Sequence, residues 1–298
     1  MSRKKCITAS QDRNSSLPMH VQSIMRIALA LVFTGLAAAQ TPDAREIVTR
    51  SIQASDENWR MSRNYTFLQR TAERHLDAGG QTKSTEIKTY DITLLDGSPY
   101  FRLVGRDDRP LPSADETKER EKLEKSIADR SRETPKDRAK RIAEYEKRRE
   151  GQRQDMREVA EAFDFKVAAQ EQLEGRPVWV LDAEPHPGYR PRSRDTKILP
   201  HVRGRLWIDR QTYHWVKLEA QVIDPVSWGL FLVRLDPGAR ISFVETRVND
   251  EVWLPQRISV TASARLGLFK KLRVEQDTTY RNFRKFQADS RLVADQPH

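Results

Sequence analysis

VWLPQRISVTASARLGL, residues 252–268, decides the fold. Val252, Leu254, Ile258, Val260, Ala262, Ala264, Leu266 and Leu268 alternate with Trp253, Arg257, Ser259, Thr261, Ser263 and Arg265, and only Gln256 breaks the apolar row. A period of two over so long a run is a β-strand with one apolar face and one wet face. The stretch that follows repeats the pattern, with Leu272, Val274, Thr278 and Tyr280 opposing Lys271, Arg273, Glu275, Asp277 and Arg281. Strands of this length build a sheet that curls under its own twist, and its apolar face requires a cover.

Working toward the N-terminus, the same period recurs between turn signals. Tyr65 and Phe67 open a strand that turns at Asp77-Ala78-Gly79-Gly80 and returns over Thr82 to Leu95. Asp96-Gly97-Ser98-Pro99 turns it again into Tyr100 to Gly105. Strand patterns resume over Phe163 to Leu173, Val178 to Ala183, Arg205 to Asp209, Tyr213 to Asp224, Trp228 to Leu235 and Ala239 to Val248. Hairpins in succession predict an antiparallel meander of about ten or eleven strands, a mainly β chain of the α+β class. Ahead of it, Thr41-Pro42 reads as a helix start, and Ala44, Ile47, Val48, Ile52 and Trp59 fall on one face of the helix that follows. That amphipathic helix is the expected lid of the sheet. A transmembrane barrel is the competing all-β reading. The amphipathic helix, the uneven strand lengths and the polar tail 287–298 weigh against it.

The first 39 residues read as an export signal. Arg26 precedes an apolar run from Ile27 to Leu36, and Ala37-Ala38-Ala39-Gln40 supplies a small-x-small end. The run is too short for a membrane span, which needs about 20 apolar residues. Translation starting at Met19 or Met25 would give a leader of more ordinary length. Cutting after Ala39 lowers the formal charge from +10 to +6, with 48 basic against 42 acidic residues left, and removes Cys6, the chain's one cysteine. A disulfide framework and a cysteine-based zinc site are thereby excluded, and nucleic acid becomes an improbable partner. The predicted protein is exported and periplasmic, soluble and without a lipid-bearing cysteine.

Charged residues make up 32% of the chain, and they concentrate between Arg106 and Arg157, where 17 basic and 14 acidic residues occupy 52 positions. Ser113 with Glu116 suggests a capping box and Pro135 a break, so residues 106–160 read as an inserted pair of helices. Two readings stand for it: a solvated hairpin held by local opposite-charge pairs, or a docking arm for a partner.

Catalytic patterns are missing: there is no G-x-S-x-G, no G-x-x-x-x-G-K-[ST] and no H-E-x-x-H. His186 and His201 lie in one loop without a further histidine or cysteine at ligand spacing, so neither a catalytic nor a metal site is expected. Two features point to binding. Trp228 to Leu235 is apolar on both faces except at Arg234, which fits a strand covered on both sides or a greasy cavity wall. The loop from His186 to Lys197 sets Arg190, Arg192, Arg194 and Lys197 against only Asp195, which fits a solvated loop or a rim for an anionic head group.

The leader, the helix and the meander, with Gly204-Arg-Leu-Trp-Ile-Asp209, Lys217-Leu-Glu219 and Glu251-Val-Trp-Leu-Pro255, resemble the LolA-like outer-membrane lipoprotein-sorting proteins and their relatives LolB and RseB. The resemblance spans most of residues 42–286 and departs from the family in the charged insertion. It implies a curved, open antiparallel half-barrel closed by helices over an apolar cavity, holding the acyl chains of lipoproteins without cofactor or catalysis. The expected function is thus a periplasmic carrier of an acyl chain or similar ligand. Ile47, Ile52 and Trp59 of the lid and Leu230, Leu232, Val260 and Leu266 of the sheet are the expected walls, and Arg190, Arg192 and Arg194 the rim. An envelope sensor that docks a protein through the insertion is the alternative. An envelope hydrolase would need a polar cluster inside the cavity.

Overall fold

The computed structural model describes residues 42–228, 233–266 and 270–286. The expected leader, Leu230, Leu232 and the tail lie outside them. Helix α1 (Ala44–Ser62) comes first, starting two residues beyond Pro42 with Asp43 at its N-cap. Four strands follow: β1 (Tyr65–Leu76), β2 (Thr82–Leu95), β3 (Ser98–Arg106) and the short β4 (Arg109–Pro110). Helices α2 (Ser113–Ser131) and α3 (Pro135–Ala162) come next. After them run β5 (Phe163–Leu173), β6 (Arg176–Pro185), β7 (Val202–Asp209), β8 (Trp215–Val222), β9 (Val226–Trp228), β10 (Val233–Leu235), β11 (Arg240–Val248), β12 (Val252–Leu266) and β13 (Lys270–Lys285).

The strands form one open antiparallel sheet in the order β4-β3-β2-β1-β13-β12-β11-β8-β7-β6-β5, a half-barrel whose edges β4 and β5 do not pair. Its first and last long strands, β1 and β13, lie side by side in the middle. Thirteen strands exceed the expected ten or eleven for two reasons. The two-residue β4 carries no periodic signal, and Trp228 to Leu235 is not one strand: β9 and β10 pair antiparallel, Trp228 opposite Val233, and β10 adds to β12 beyond the end of β11.

Two-residue hairpin loops with both residues at positive φ join β2 to β3 (Asp96, Gly97), β3 to β4 (Asp107, Asp108) and β5 to β6 (Glu174, Gly175). This is the type I′ geometry that matches strand twist, and the Asp-Gly and Glu-Gly pairs supply a glycine at the second position. Register shifts bend the long strands, among them those between Thr66 and Leu68, between Val167 and Ala169, and between Val244 and Glu245. Each inserted residue kinks its strand and increases the local twist. Gln256, which broke the apolar row in the sequence, is the residue skipped on β12 where Val244 faces Arg257 and Glu245 faces Pro255.

The core lies between α1 and one face of the sheet. Ile47 and Val48 pack with Trp179 and Leu181 of β6, Leu206 and Ile208 of β7, and Trp215 of β8. Ile47, Leu181 and Ile208 are 0% exposed, so this half of the lid interface is filled. A smaller cluster on the other face joins Val178, Val180, Trp207 and Val216 to Trp253. The register shift after Val167 turns β5 toward it: Phe165 and Val167 pack on the α1 core, whereas Ala169 and Leu173 pack on the second cluster.

Topology gives the insertion a role that composition did not show. The chain leaves the sheet at one edge, β4, and re-enters at the opposite edge, β5, so α2 and α3 make the connection between the two edges. At 28 residues α3 is about 42 Å long. It packs on α1 between its contacts with β3 and β5. Arg149 donates from Nη2 to the Trp59 carbonyl at 2.9 Å, and Arg153 and Arg157 reach the Asp56 carboxylate at 3.0 and 2.6 Å. At the other end, Arg130 of α2 bonds the Leu95 carbonyl, and Arg141 of α3 bonds Ser98 Oγ at 2.8 Å. The hairpin is therefore fastened to the body and is not a free arm. Its expected capping box does not form: Pro112 occupies the N-cap of α2 without a side-chain bond. The break at Pro135 does occur, with Thr134 Oγ1 accepting from the Asp137 amide at 3.2 Å.

Candidate functional site

Cross-strand partners share a face, so the side chains beside α1 can be followed across the sheet. Ala183 pairs with Gly204, Gly204 with Ala220, Ala220 with Ile241, and Ile241 with Val260. The next row runs from Leu181 through Leu206, Leu218 and Phe243 to Ile258. Both rows begin in the sealed α1 core and end in the open. Ile241 is 40% exposed, and Phe243, Ile258, Val260 and Ala262 are only partly buried. The lid covers the β6–β8 end of this apolar face and meets the start of β12 at Trp253, and it leaves the stretch around Ile241 accessible. Gly204 keeps the strands close here, because a Cβ would stand 3.0 Å from the Glu219 carbonyl oxygen.

Among the described residues, Arg50, Ser51 and Asn58 of α1 bond to the sheet side, and their partners fall in two short segments. Arg50 Nη1 donates to Tyr213 Oη at 2.9 Å, Trp215 Nε1 donates to Ser51 Oγ at 2.8 Å, and Asn58 takes both backbone groups of Trp253. His214 sits between the first two anchors, buried, stacked on the Trp253 ring at 5.4 Å and bonded to Glu245.

The expected wall residues separate into groups. Ile47 is fully buried in the α1 core, and Ile52 packs at its margin. Trp59 turns toward α3, its ring 4.6 Å beneath the Arg149 guanidinium. Val260 lies on the open part of the face beside Ile241, a residue the sequence reading did not single out. Leu266 ends β12 opposite Val233, and Leu230 and Leu232 lie outside the described residues.

The rim loop runs between α3 and β9. Lys197 Nζ donates to the Ser227 carbonyl at 2.7 Å, and Trp228 Nε1 to the Arg194 carbonyl at 3.3 Å. Its charge is less free than the sequence suggested, because Glu161 of α3 pairs with Arg192. Arg190 and Arg194 form no ion pair among the described residues. Tyr189 donates to Glu158 at 2.7 Å; burial and the adjacent carboxylate push its hydroxyl up to about 12. His186 Nδ1 lies 2.8 Å from Asp164, and no cluster of three metal-ligating side chains occurs among the described residues.

No protein-family model and no curated protein matches the sequence. Solved structures of the group named above are among those similar to this chain. A putative outer membrane lipoprotein-sorting protein domain from Vibrio parahaemolyticus is 10% identical over 82% of this chain and 95% of its own, with a TM-score of 0.35. A LolA superfamily protein from Nitrosomonas europaea is 10% identical over 86% and 96%, with a TM-score of 0.32. The MucA/MucB complex structure from Pseudomonas aeruginosa is also similar, at 14% identity over 82% and 99%, with a TM-score of 0.23.

Proposed function

We propose that this chain is an exported, non-enzymatic binding protein that takes up an apolar chain, such as the acyl group of a lipoprotein or lipid, on the open end of the face that α1 covers. One observation carries the reading: a single apolar sheet face is sealed at Ile47 and open at Ile241, which is 40% exposed. Burying that strip under an acyl chain contributes about 25 cal/mol per Å² and requires no polar contact. The basic loop at Arg190 and Arg194 borders the β9–β10 hairpin on the same sheet, where a head group would emerge. The leader supports export to the periplasm, as Arg26, the apolar run and Ala37-Ala38-Ala39 have the three parts of a secretory signal.

The test is titration of the purified protein with a fluorescent fatty-acid probe, beside an Ile241→Lys/Val260→Lys variant. Saturable binding by the wild type and a loss of about tenfold or more in the variant are expected, since each lysine puts a charge in the path of the chain. No binding by the wild type, or equal binding by both, contradicts the proposal.

A further inference from the structure

The sheet carries a concavity of about 690 Å³, within the size range of small-ligand sites, lined mainly by side chains of the face opposite α1, with Gly204, Ala220 and Ile241 also in its wall. It crosses β6, β7, β8, β11 and β12, five strands and about 19 Å at the usual strand spacing. Its chemistry differs from that of the apolar strip. One row runs from Asp182 through Arg205, Glu219 and Ser242 to Ser259, and the next from Arg203 through Gln221 and Arg240 to Thr261. In the first row the charges are already matched: Arg205 bonds Asp182 at 2.7 Å and Lys217 bonds Glu219 at 2.7 Å. In the second row they are matched only in part, because the exposed Glu184 lines the groove at its β6 end. Arg203 and Arg240 are exposed and form no ion pair among the described residues.

These two guanidinium groups stand on β7 and β11 with Gln221 of β8 between them, about 10 Å apart at the backbone. Two arginine side chains can close from that distance onto one carboxylate above the Gln221 amide, and paired arginines recognise carboxylates by charge-assisted, directional hydrogen bonds. The rest of the floor has the hydroxyls of Ser242 and Thr261 and that of Ser259, which donates to Asp277 at 3.0 Å and is left as an acceptor. Extended peptides bind sheets by adding to a strand edge, whereas here the ladder already uses the backbone groups of the inner strands. Recognition must therefore come from side chains, and hydroxyl, amide and carboxylate groups in a row suit a polyhydroxylated ligand.

We infer that this groove is a second binding site, for a short acidic oligosaccharide whose carboxylate sits between Arg203 and Arg240 and whose hydroxyls meet Gln221 and the serine and threonine floor. It does not depend on the apolar-chain proposal, because the groups that recognise the ligand are Arg203, Gln221 and Arg240 on the face opposite α1, although Ile241 borders both sites.

The test is isothermal titration of the full exported protein with digalacturonate, with maltose as the neutral counterpart and a tripeptide of three aspartates as the acidic non-sugar. Arg203→Gln and Arg240→Gln are titrated in parallel. The inference predicts saturable binding of digalacturonate, weakened about tenfold by each substitution and by added salt, with maltose at least about tenfold weaker than digalacturonate. Both substitutions lie on exposed side chains, and unchanged circular dichroism and thermal midpoint show that the variants remain folded. Absence of digalacturonate binding, wild-type affinity in either variant, or equal binding of maltose or the acidic peptide overturns it.

Discussion

The carboxamide of Asn58 replaces a missing strand. β12 pairs with β13 only from Arg257 onward, so the backbone of Trp253 has no neighbour on that side. Asn58 Nδ2 donates to the Trp253 carbonyl at 2.8 Å, and Asn58 Oδ1 accepts from its amide at 2.7 Å, which reproduces the two bonds of a ladder. Trp253 is buried, so truncating Asn58 leaves both groups unpaired away from water. Asn58→Ala is expected to cost about 1–3 kcal/mol, read as a lower urea midpoint at unchanged m-value. Nothing in the sequence marks Asn58, because its partner is 195 residues away. Ile47 and Val48, by contrast, were legible from helical period alone, since an apolar stripe identifies the face that must be covered whatever covers it. Ile241 was legible as a strand residue. Its exposure depends on where α1 ends over the sheet, which local pattern does not encode.

At the scale of elements, the charged insertion was visible as two helices broken at Pro135, and its function as a strap was not. The sequence shows charges three and four residues apart, whereas the contacts that fasten α3 are remote: Arg153 and Arg157 to Asp56, Arg149 to the Trp59 carbonyl, Arg141 to Ser98. The single β9–β10 apolar run failed as a strand prediction for a related reason, since a run apolar on both faces has no period to show where it folds back. The clamp has a definite pH dependence. Burial raises the Asp56 carboxyl, hydrogen bonds from Arg157 and Arg153 lower it further than that, and the net position is below its ordinary 3.8. A carboxyl depressed in the folded state contributes stability above the unfolded value and loses it as pH falls through the folded one. Asp56→Asn should therefore be less stable than wild type by about 1 kcal/mol at neutral pH, and the gap should close as pH falls below about 3.8. Thermal unfolding of the two proteins from pH 7 to pH 2 checks this, and a gap that persists or widens in acid contradicts the clamp.

For the whole molecule, a curled antiparallel meander with a lid helix and a charged insertion followed from strand period, turn chemistry and one amphipathic helix, and the open half-barrel from the family resemblance. What the sequence could not show was which part of the apolar face the lid seals. That depends on α1 lying over β6–β8, on β10 extending the sheet past β11, and on α3 spanning from one edge to the other. The result is one face divided into a dry core and an open strip, with a polar groove on the reverse. The central claim is that the open strip is where an apolar chain lies. Photo-crosslinking with a diazirine-bearing fatty acid, followed by peptide mapping, tests it most directly: the account predicts adducts on β11 and β12 around Ile241 and Val260, and no adducts, or adducts confined to the polar face around Arg203 and Arg240, would contradict it.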